Sequence, residues 1–339
     1  LFGYGPLDTL FADERITTIS LDGMDKASAR YGHGDLIPIG PLFEDNQHLR
    51  QTLSRLLRDA RAELSEEQPF VEAGLRVEGR PVCLNLMTPP ITIQLRADIR
   101  VHPKTLPTLD DLVAQNFMPT EAAALLRALT QSPQGFVIVG DTESGKTTLL
   151  SVLAQLLPEP DKLASVERAG ELRLPIGAQQ WVVRWRFGEQ KPVSFVEQVS
   201  AALENQPKTI LLDEVRADQP EAVALLLTQP EAPRQIWSFR GASDANRIRS
   251  ALGMVARRAN PTQSEAMVHA LYERLPFIVA IKRTKGTLQV RGIAEWQYPP
   301  GAEYPDYVEL LTTGWEGLEF TGKRPTHPLD LPGDFWRKS

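Results

Sequence analysis

The residues best equipped for chemistry lie in one stretch, GFVIVGDTESGKTTLL, residues 135–150. Gly140 and Gly145 are separated by four residues and lead directly into Lys146 and Thr147. That spacing fits a phosphate-binding loop. The glycines let the backbone curl so that its N–H groups face phosphate oxygens. The lysine carries a point charge to the β and γ phosphates, and the threonine hydroxyl is a ligand for Mg²⁺. Asp141, Thr142, Glu143, Ser144 and Thr148 fill the rest of the expected nucleotide-contacting run. The context agrees: FVIV before the loop reads as a buried strand and KTTLLSVLAQLL after it as a helix, whose N-terminus attracts anions.

A phosphate-binding loop needs an acid at the end of a second strand. KTILLDEVR supplies an apolar strand ending in Asp213 and Glu214, and the pattern alone does not choose between them. Such an acid holds the metal through water or polarises the attacking water. LASVERAGELRLP places Glu167 just after another apolar strand, with Glu171 four residues on. Its position between the loop and the Asp-Glu strand makes Glu167 a candidate general base.

These groups need a scaffold. From Gly135 onward, continuous apolar strands (FVIV, LASVE, QWVVRWR, KTILLDE, QIWSF) alternate with helices such as SFVEQVSAALEN. That alternation predicts a parallel sheet covered on both faces, an α/β core. Residues 1–105 read as a smaller α+β domain. ITTISLDG alternates and stops at Asp-Gly. DNQHLRQTLSRLLRDARAEL is an amphipathic helix with Leu49, Leu53, Leu56, Leu57 and Leu64 on one face and Asp45 or Asn46 as cap. GLRVEGRPVCLNLM reads as two strands about a glycine turn and ITIQLRADIR as another. Residues 106–130 form a linker and helices, with Thr108 and Asp111 resembling a capping box. Residues 131–297 make the nucleotide-binding domain. The tail, 298–339, carries six prolines after Trp296 and is expected to be mostly irregular.

Lys and Arg number 37 against 43 Asp and Glu, a net charge of −6. That mildly acidic balance argues against nucleic acid as the main partner. One cysteine, Cys83, rules out an intrachain disulfide and fits a reducing compartment. No apolar run approaches the length of a membrane span, and no signal-peptide pattern opens the chain. Residue 1 is Leu, so the expectation is a fragment of a longer protein.

Together these stretches resemble the secretion ATPases, the hexameric motors of type II and type IV secretion and of pilus assembly, with the nearest look to the CpaF type. FGYGPLDTLFADERITTI is similar to the family's opening, GDTESGKTTLL to its Walker A and VERAGEL to its acidic box. SFVEQVSAALENQPKTILLDEVR is similar to its helix and Walker B strand, ANRIRSALGMV to its arginine-bearing helix, and FIVAIKRTKGTLQVRGIAEW to its closing hairpin. The resemblance implies a RecA-like P-loop ATPase core, ATP and Mg²⁺ as cofactors, and a hexameric ring. It also implies work at inner-membrane platform proteins, in the cytoplasm with a peripheral place at that membrane. It assigns Lys146 and Thr147 to phosphate and metal, Glu167 as base, and Glu214 as the Walker B glutamate, catalytic and on the metal side. Arg184, Arg186 and Arg216 stand where the family keeps arginines near the nucleotide, and Arg240 is the nearest polar substitute for a lost histidine.

The departures are specific. Arg168 stands where the acidic box usually has Asp, Asp213 where Gly is common, and Gln94 where an arginine is usual, with Arg96 and Arg100 near. Phe239 takes the place of a histidine that senses the γ-phosphate. Phenylalanine offers neither donor nor acceptor, so slow basal turnover is expected. The function expected is an ATP-hydrolysing motor for pilus assembly or secretion. The alternative is a nucleotide-binding scaffold or regulator with decayed activity, and a nucleic-acid translocase is disfavoured by charge.

Overall fold

A computed structural model describes residues 3–284, 286–314 and 317–337. Phe2 of the opening stretch and Lys285 of the closing hairpin lie outside them. Internal contacts divide the chain into two units. One comprises Leu1–Thr105, Glu167–Glu171 and Val182–Gln198; the other comprises Leu106–Val166, Leu172–Trp181 and Val199–Ser339.

The first unit is built on a six-stranded sheet. Its strands are β1 (Ile16–Asp22), β2 (Lys26–Tyr31), β3 (Leu36–Pro38), β4 (Phe70–Val77), β5 (Arg80–Met87) and β6 (Arg96–Val101). They run antiparallel in the order β3-β2-β1-β6-β5-β4. Helices α1 (Leu7–Ala12) and α2 (Asn46–Asp59) pack on its core. Leu49, Leu53, Leu56 and Leu57 form the buried stripe of α2, and the Asp45 carboxylate caps it by accepting from the His48 N–H at 2.7 Å. Leu64 lies past the end of that helix. ITIQLRADIR becomes a strand only from Arg96. Ahead of it, Pro89 and Pro90 break the backbone, the Thr92 hydroxyl donates to the Gln94 carbonyl at 2.8 Å, and the Gln94 amide donates to Asp22 at 3.0 Å.

A short segment from the middle of the chain, Glu167–Glu171, packs into this unit. Gly74 on β4 makes room for it: a Cβ there would sit 1.6 Å from the Ala169 carbonyl oxygen. The run 182–198 packs alongside. Its Trp185 indole donates to the Glu72 carbonyl at 2.5 Å and meets the Phe70 ring edge-on at 5.7 Å.

The second unit opens with α3 (Leu109–Ala114) and α4 (Thr120–Gln131). The capping box at the start of α3 forms with Asp111 in the role usually taken by Glu or Gln. A nine-stranded sheet follows, built from β7 (Phe136–Gly140), β8 (Leu163–Glu167), β9 (Gln179–Val182), β10 (Thr209–Val215), β11 (Arg234–Arg240), β12 (Phe277–Thr284), β13 (Thr287–Gln297), β14 (Asp306–Thr313) and β15 (Leu318–Phe320). Its order is β15-β14-β13-β12-β7-β11-β10-β8-β9. Strands β12, β7, β11 and β10 pair in parallel. Phe136–Val139, Ile210–Leu212, Ile236 and Trp237 are fully buried, as expected of strands covered on both faces. The helices of this unit are α5 (Lys146–Ala154), α6 (Phe195–Glu204), which continues into it from the first, α7 (Ala224–Thr228), α8 (Ala245–Ala259) and α9 (Ser264–Arg274).

Three expectations need correction. The sheet is mixed, because β12 to β15 form antiparallel hairpins on one edge. The tail is also more regular than its prolines suggested. They flank β14 and β15 instead of interrupting them, and the rest of the tail is pinned. The carboxylate of Glu295, fully buried, accepts the N–H groups of Thr326 at 2.7 Å and His327 at 2.9 Å, and Phe335 packs edge-on against Phe320. The strand expected over QWVVRWR is shorter than predicted: β9 ends at Val182, and Arg184 pairs with Val193 in an isolated bridge.

Candidate functional site

The loop between β7 and α5 folds back over the strand end. A Cβ on Gly140 would lie 2.4 Å from the Ser144 hydroxyl and 2.7 Å from the Ile281 carbonyl, so only glycine fits. Glu143 and Gly145 take left-handed conformations, with φ of 58° and 91°, which turn the chain into α5. Glu143 lies 3.7 Å from the Arg283 guanidinium of β12. Asp141 and Thr142 are exposed and Ser144 is buried.

Lys146, the first residue of α5, is only 5% exposed. Its ammonium donates to the carbonyls of Gly140 at 3.0 Å and Asp141 at 2.7 Å, and it pairs with Glu214 at 3.2 Å. A nearly dry cation held inside a glycine loop, at the positive end of a helix, is the donor set that phosphate oxygens require. Glu214 also accepts from Arg216 at 3.1 Å. Burial alone would raise its carboxyl, but Lys146 and Arg216 outweigh burial and hold it below the ordinary carboxylate range.

The neighbouring acid has a different partner set. The Thr147 hydroxyl donates to Asp213 Oδ1 at 3.4 Å, a long contact, and the buried Ser238 hydroxyl donates to the same oxygen. With the Thr147 proton directed at Asp213, the threonine lone pairs face away from the carboxylate. That is the polarity a metal ligand needs. The site therefore suits Mg²⁺, which keeps several waters and takes one or two carboxylates plus substrate phosphates. Among the described residues no cluster of three or more His, Cys, Asp or Glu forms a self-sufficient metal cage.

Strand β11 carries two residues that sequence reasoning weighed unequally. Phe239 is fully buried, registers with Val139 and Val215, and has its ring against Gly241. It is a packing residue. Ser238, one position earlier, is the residue that turns a polar group to the acid. Arg240 ends the strand and is exposed.

The other candidate residues group with the first unit. Glu167 ends β8, is 1% exposed, and its carbonyl accepts the Val183 N–H at 2.9 Å. Arg168 is buried with its guanidinium over the Phe195 ring at 4.6 Å, a cation–π contact. Glu171 bonds to Arg100 at 3.0 Å and to His102 Nε2 at 2.7 Å. Burial would raise the Glu171 carboxyl, but Arg100 and His102 more than offset it and bring it to about 2. Arg184 and Arg186 are exposed, Arg186 lying 3.7 Å from Glu63. Arg100, Ser238 and Gly74 were not singled out as site residues. The only signal for Arg100 was its closeness to the usual arginine position taken by Gln94.

A strand, a glycine loop closing on a lysine, a helix, and an acid-tipped parallel strand define a P-loop nucleotide-binding core. The family model described as Type II/IV secretion system protein matches residues 43–229, more than half of the chain, and the chain belongs to that family. A Mycobacterium tuberculosis protein named for conjugal transfer is 26% identical over 320 residues, covering 89% of this chain and 90% of that one. The pilus retraction motor PilT, solved with bound ADP, is 17% identical with a TM-score of 0.54, covering 83% of this chain and 78% of that chain. The ATPase DotB of Legionella pneumophila is 15% identical with a TM-score of 0.53, covering 81% and 74%. At these identities the two structures establish a shared fold.

Proposed function

We propose that this chain is the ATP-hydrolysing motor subunit of a secretion or pilus-assembly system. The observation that carries this is the pairing of a P-loop lysine with Glu214, and of Thr147 with Asp213, in a chain of the Type II/IV secretion family. Lys146 and the loop N–H groups bind the β and γ phosphates. Thr147 would hold Mg²⁺, with Asp213 and Glu214 on the metal side. When bound, Mg²⁺ neutralises charge on the transferring phosphoryl group. Glu167 takes the proton of the attacking water. Arg184 and Arg186 add positive charge at a neighbouring subunit's nucleotide, which is why the working form is a ring, most naturally of six, while Arg216, bonded to Glu214, and Arg240 serve this subunit's own site. The ring works in the cytoplasm against a membrane platform. Among the described residues no helix is long and apolar enough to cross a membrane. The fold shared with PilT, a pilus retraction motor solved with ADP, supports the motor reading, and the CpaF branch rests on motif likeness alone.

A second reading, a nucleotide-binding scaffold with little turnover, is favoured by two buried residues. Phe239 offers no polar group, and Arg168 is committed to the Phe195 ring. ATP turnover of the purified chain separates the two readings. Lys146→Ala is expected to abolish ATP binding, and near-normal affinity in that variant would overturn the P-loop assignment. Light scattering with ATP and Mg²⁺ at rising protein concentration should reveal the ring; a strict monomer throughout refutes it.

A further inference from the structure

Asp213 stands where this chain departs from the glycine common in its family, and it does not stand alone. Strand β11 runs beside β10 in parallel with Leu212 opposite Trp237, and the register then slips so that Val215 meets Phe239. Ser238 therefore faces the slipped pair, Asp213 and Glu214. Its side chain is fully buried, and Asp213 is only 6% exposed. A buried carboxylate needs donors, because its charge is costly without them. Ser238 is one such donor, through a short hydrogen bond to Oδ1, and Thr147 reaches the same oxygen from the first turn of α5. A serine hydroxyl carries a single proton, so this bond commits it. Two hydroxyls from different elements converge on one oxygen, the Ser238 bond short and the Thr147 contact long at 3.4 Å, and together they favour one rotation of the carboxylate.

The geometry points to Ser238 as a positioning residue for magnesium: through Asp213 it sets the Thr147 hydroxyl in the orientation that binds the metal. This rests on the P-loop reading above. Ser238 plays this role through its bond to Asp213, with no contact of its own to phosphate or metal required. It acts as an outer-shell partner that fixes a ligand-orienting acid, a class of residue whose loss typically lowers metal affinity about 10- to 100-fold. The same contact gives Asp213 a purpose. With glycine at that position no carboxylate would exist for Ser238 to orient, so the two residues act as a pair.

The test uses the intact chain. Ser238→Ala removes the hydroxyl; Ser238→Cys fills the space with a somewhat larger group that is only a weak donor, which guards against loss by a cavity alone. Two quantities are measured: Mn²⁺ affinity of the ADP complex by electron paramagnetic resonance, and the Mg²⁺ concentration for half-maximal ATP turnover. Both variants should weaken Mn²⁺ binding and raise the half-saturating Mg²⁺ by about 10-fold or more. ADP affinity in EDTA should match wild type. Asp213→Asn should show a comparable metal defect, and Ser238→Ala should add little to it, since both remove one linked contact. Unchanged Mn²⁺ affinity in Ser238→Cys, or full additivity with Asp213→Asn, overturns the proposal while leaving the P-loop reading intact. Failure of the wild type to bind ADP at all instead overturns the P-loop reading, and the inference with it.

Discussion

Replacing Glu171 by glutamine should loosen the segment that carries Glu167 at its other end. Among the contacts that hold the segment 167–171 in the first unit are the close approach of Ala169 to Gly74 and the Glu171 carboxylate against Arg100 and His102. Glutamine keeps the shape and removes the charge. Lowering this carboxyl from its ordinary 4.5 to about 2 corresponds to about 3 kcal/mol favouring the charged form in the fold. Glu171 is 7% exposed, so solvent screening removes little of it. Breaking a buried ion pair from one side typically costs about 3–5 kcal/mol, and the Glu72 carboxylate 3.9 Å from Arg100 remains to offset part of that. The lower end, about 3 kcal/mol at pH 7, is therefore expected. The sign with pH follows from a folded value below the unfolded one. The stabilisation is complete above about 4.5, and it is lost as pH falls from there toward about 2. Urea unfolding of the intact chain, followed by tryptophan fluorescence at pH 7 and at stepwise lower pH, measures it. The wild-type advantage over Glu171→Gln should be about 3 kcal/mol at pH 7 and shrink steadily below pH 4.5. A difference under about 0.5 kcal/mol at pH 7, the usual range for surface substitutions, would refute the reasoning. So would a difference that does not change with pH.

Two further outcomes concern the same segment. Glu167→Gln should retain ATP binding while turnover falls by about 100- to 10,000-fold, the usual contribution of a general base; wild-type turnover would make Glu167 an ordinary buried strand end. Gly74→Ala must push Ala169 away, and should cost about 1–3 kcal/mol by overpacking together with a fall in turnover at unchanged nucleotide affinity. Melting temperature and ATPase rate unchanged from wild type would show that the contact yields freely.

What the sequence made legible was local. The P-loop could be read because backbone donors to phosphate demand glycine, lysine and threonine at fixed, adjacent positions, and the strand and helix on either side carry their own apolar signatures. The Walker B acids were legible for the same reason, as the polar end of an apolar strand. Partners on other elements were not. Arg100 and His102 lie about 70 residues from Glu171 in sequence, and nothing in either stretch announces the other. Strand β11 shows the limit most clearly. A strand exposed on one face alternates, and alternation says which residues face the site. A central parallel strand is buried on both faces, so QIWSF has no such alternation. The sequence therefore could not tell whether Ser238 or Phe239 turns toward Asp213. The register decides it, and it changes how the departures read. Taken one at a time, Phe239 and Asp213, at positions where the resemblance implies histidine and glycine, look like erosion of a catalytic site. Taken with Ser238, the second of these is a carboxylate that has two hydroxyl donors, one of them on the P-loop helix. A decaying site has no reason to acquire a buried charge together with its donors, because an uncompensated carboxylate there would destabilise the sheet. On the reading proposed above, Asp213, Ser238 and Thr147 serve the metal side together, and slow turnover is expected to trace to the γ-phosphate side at Phe239.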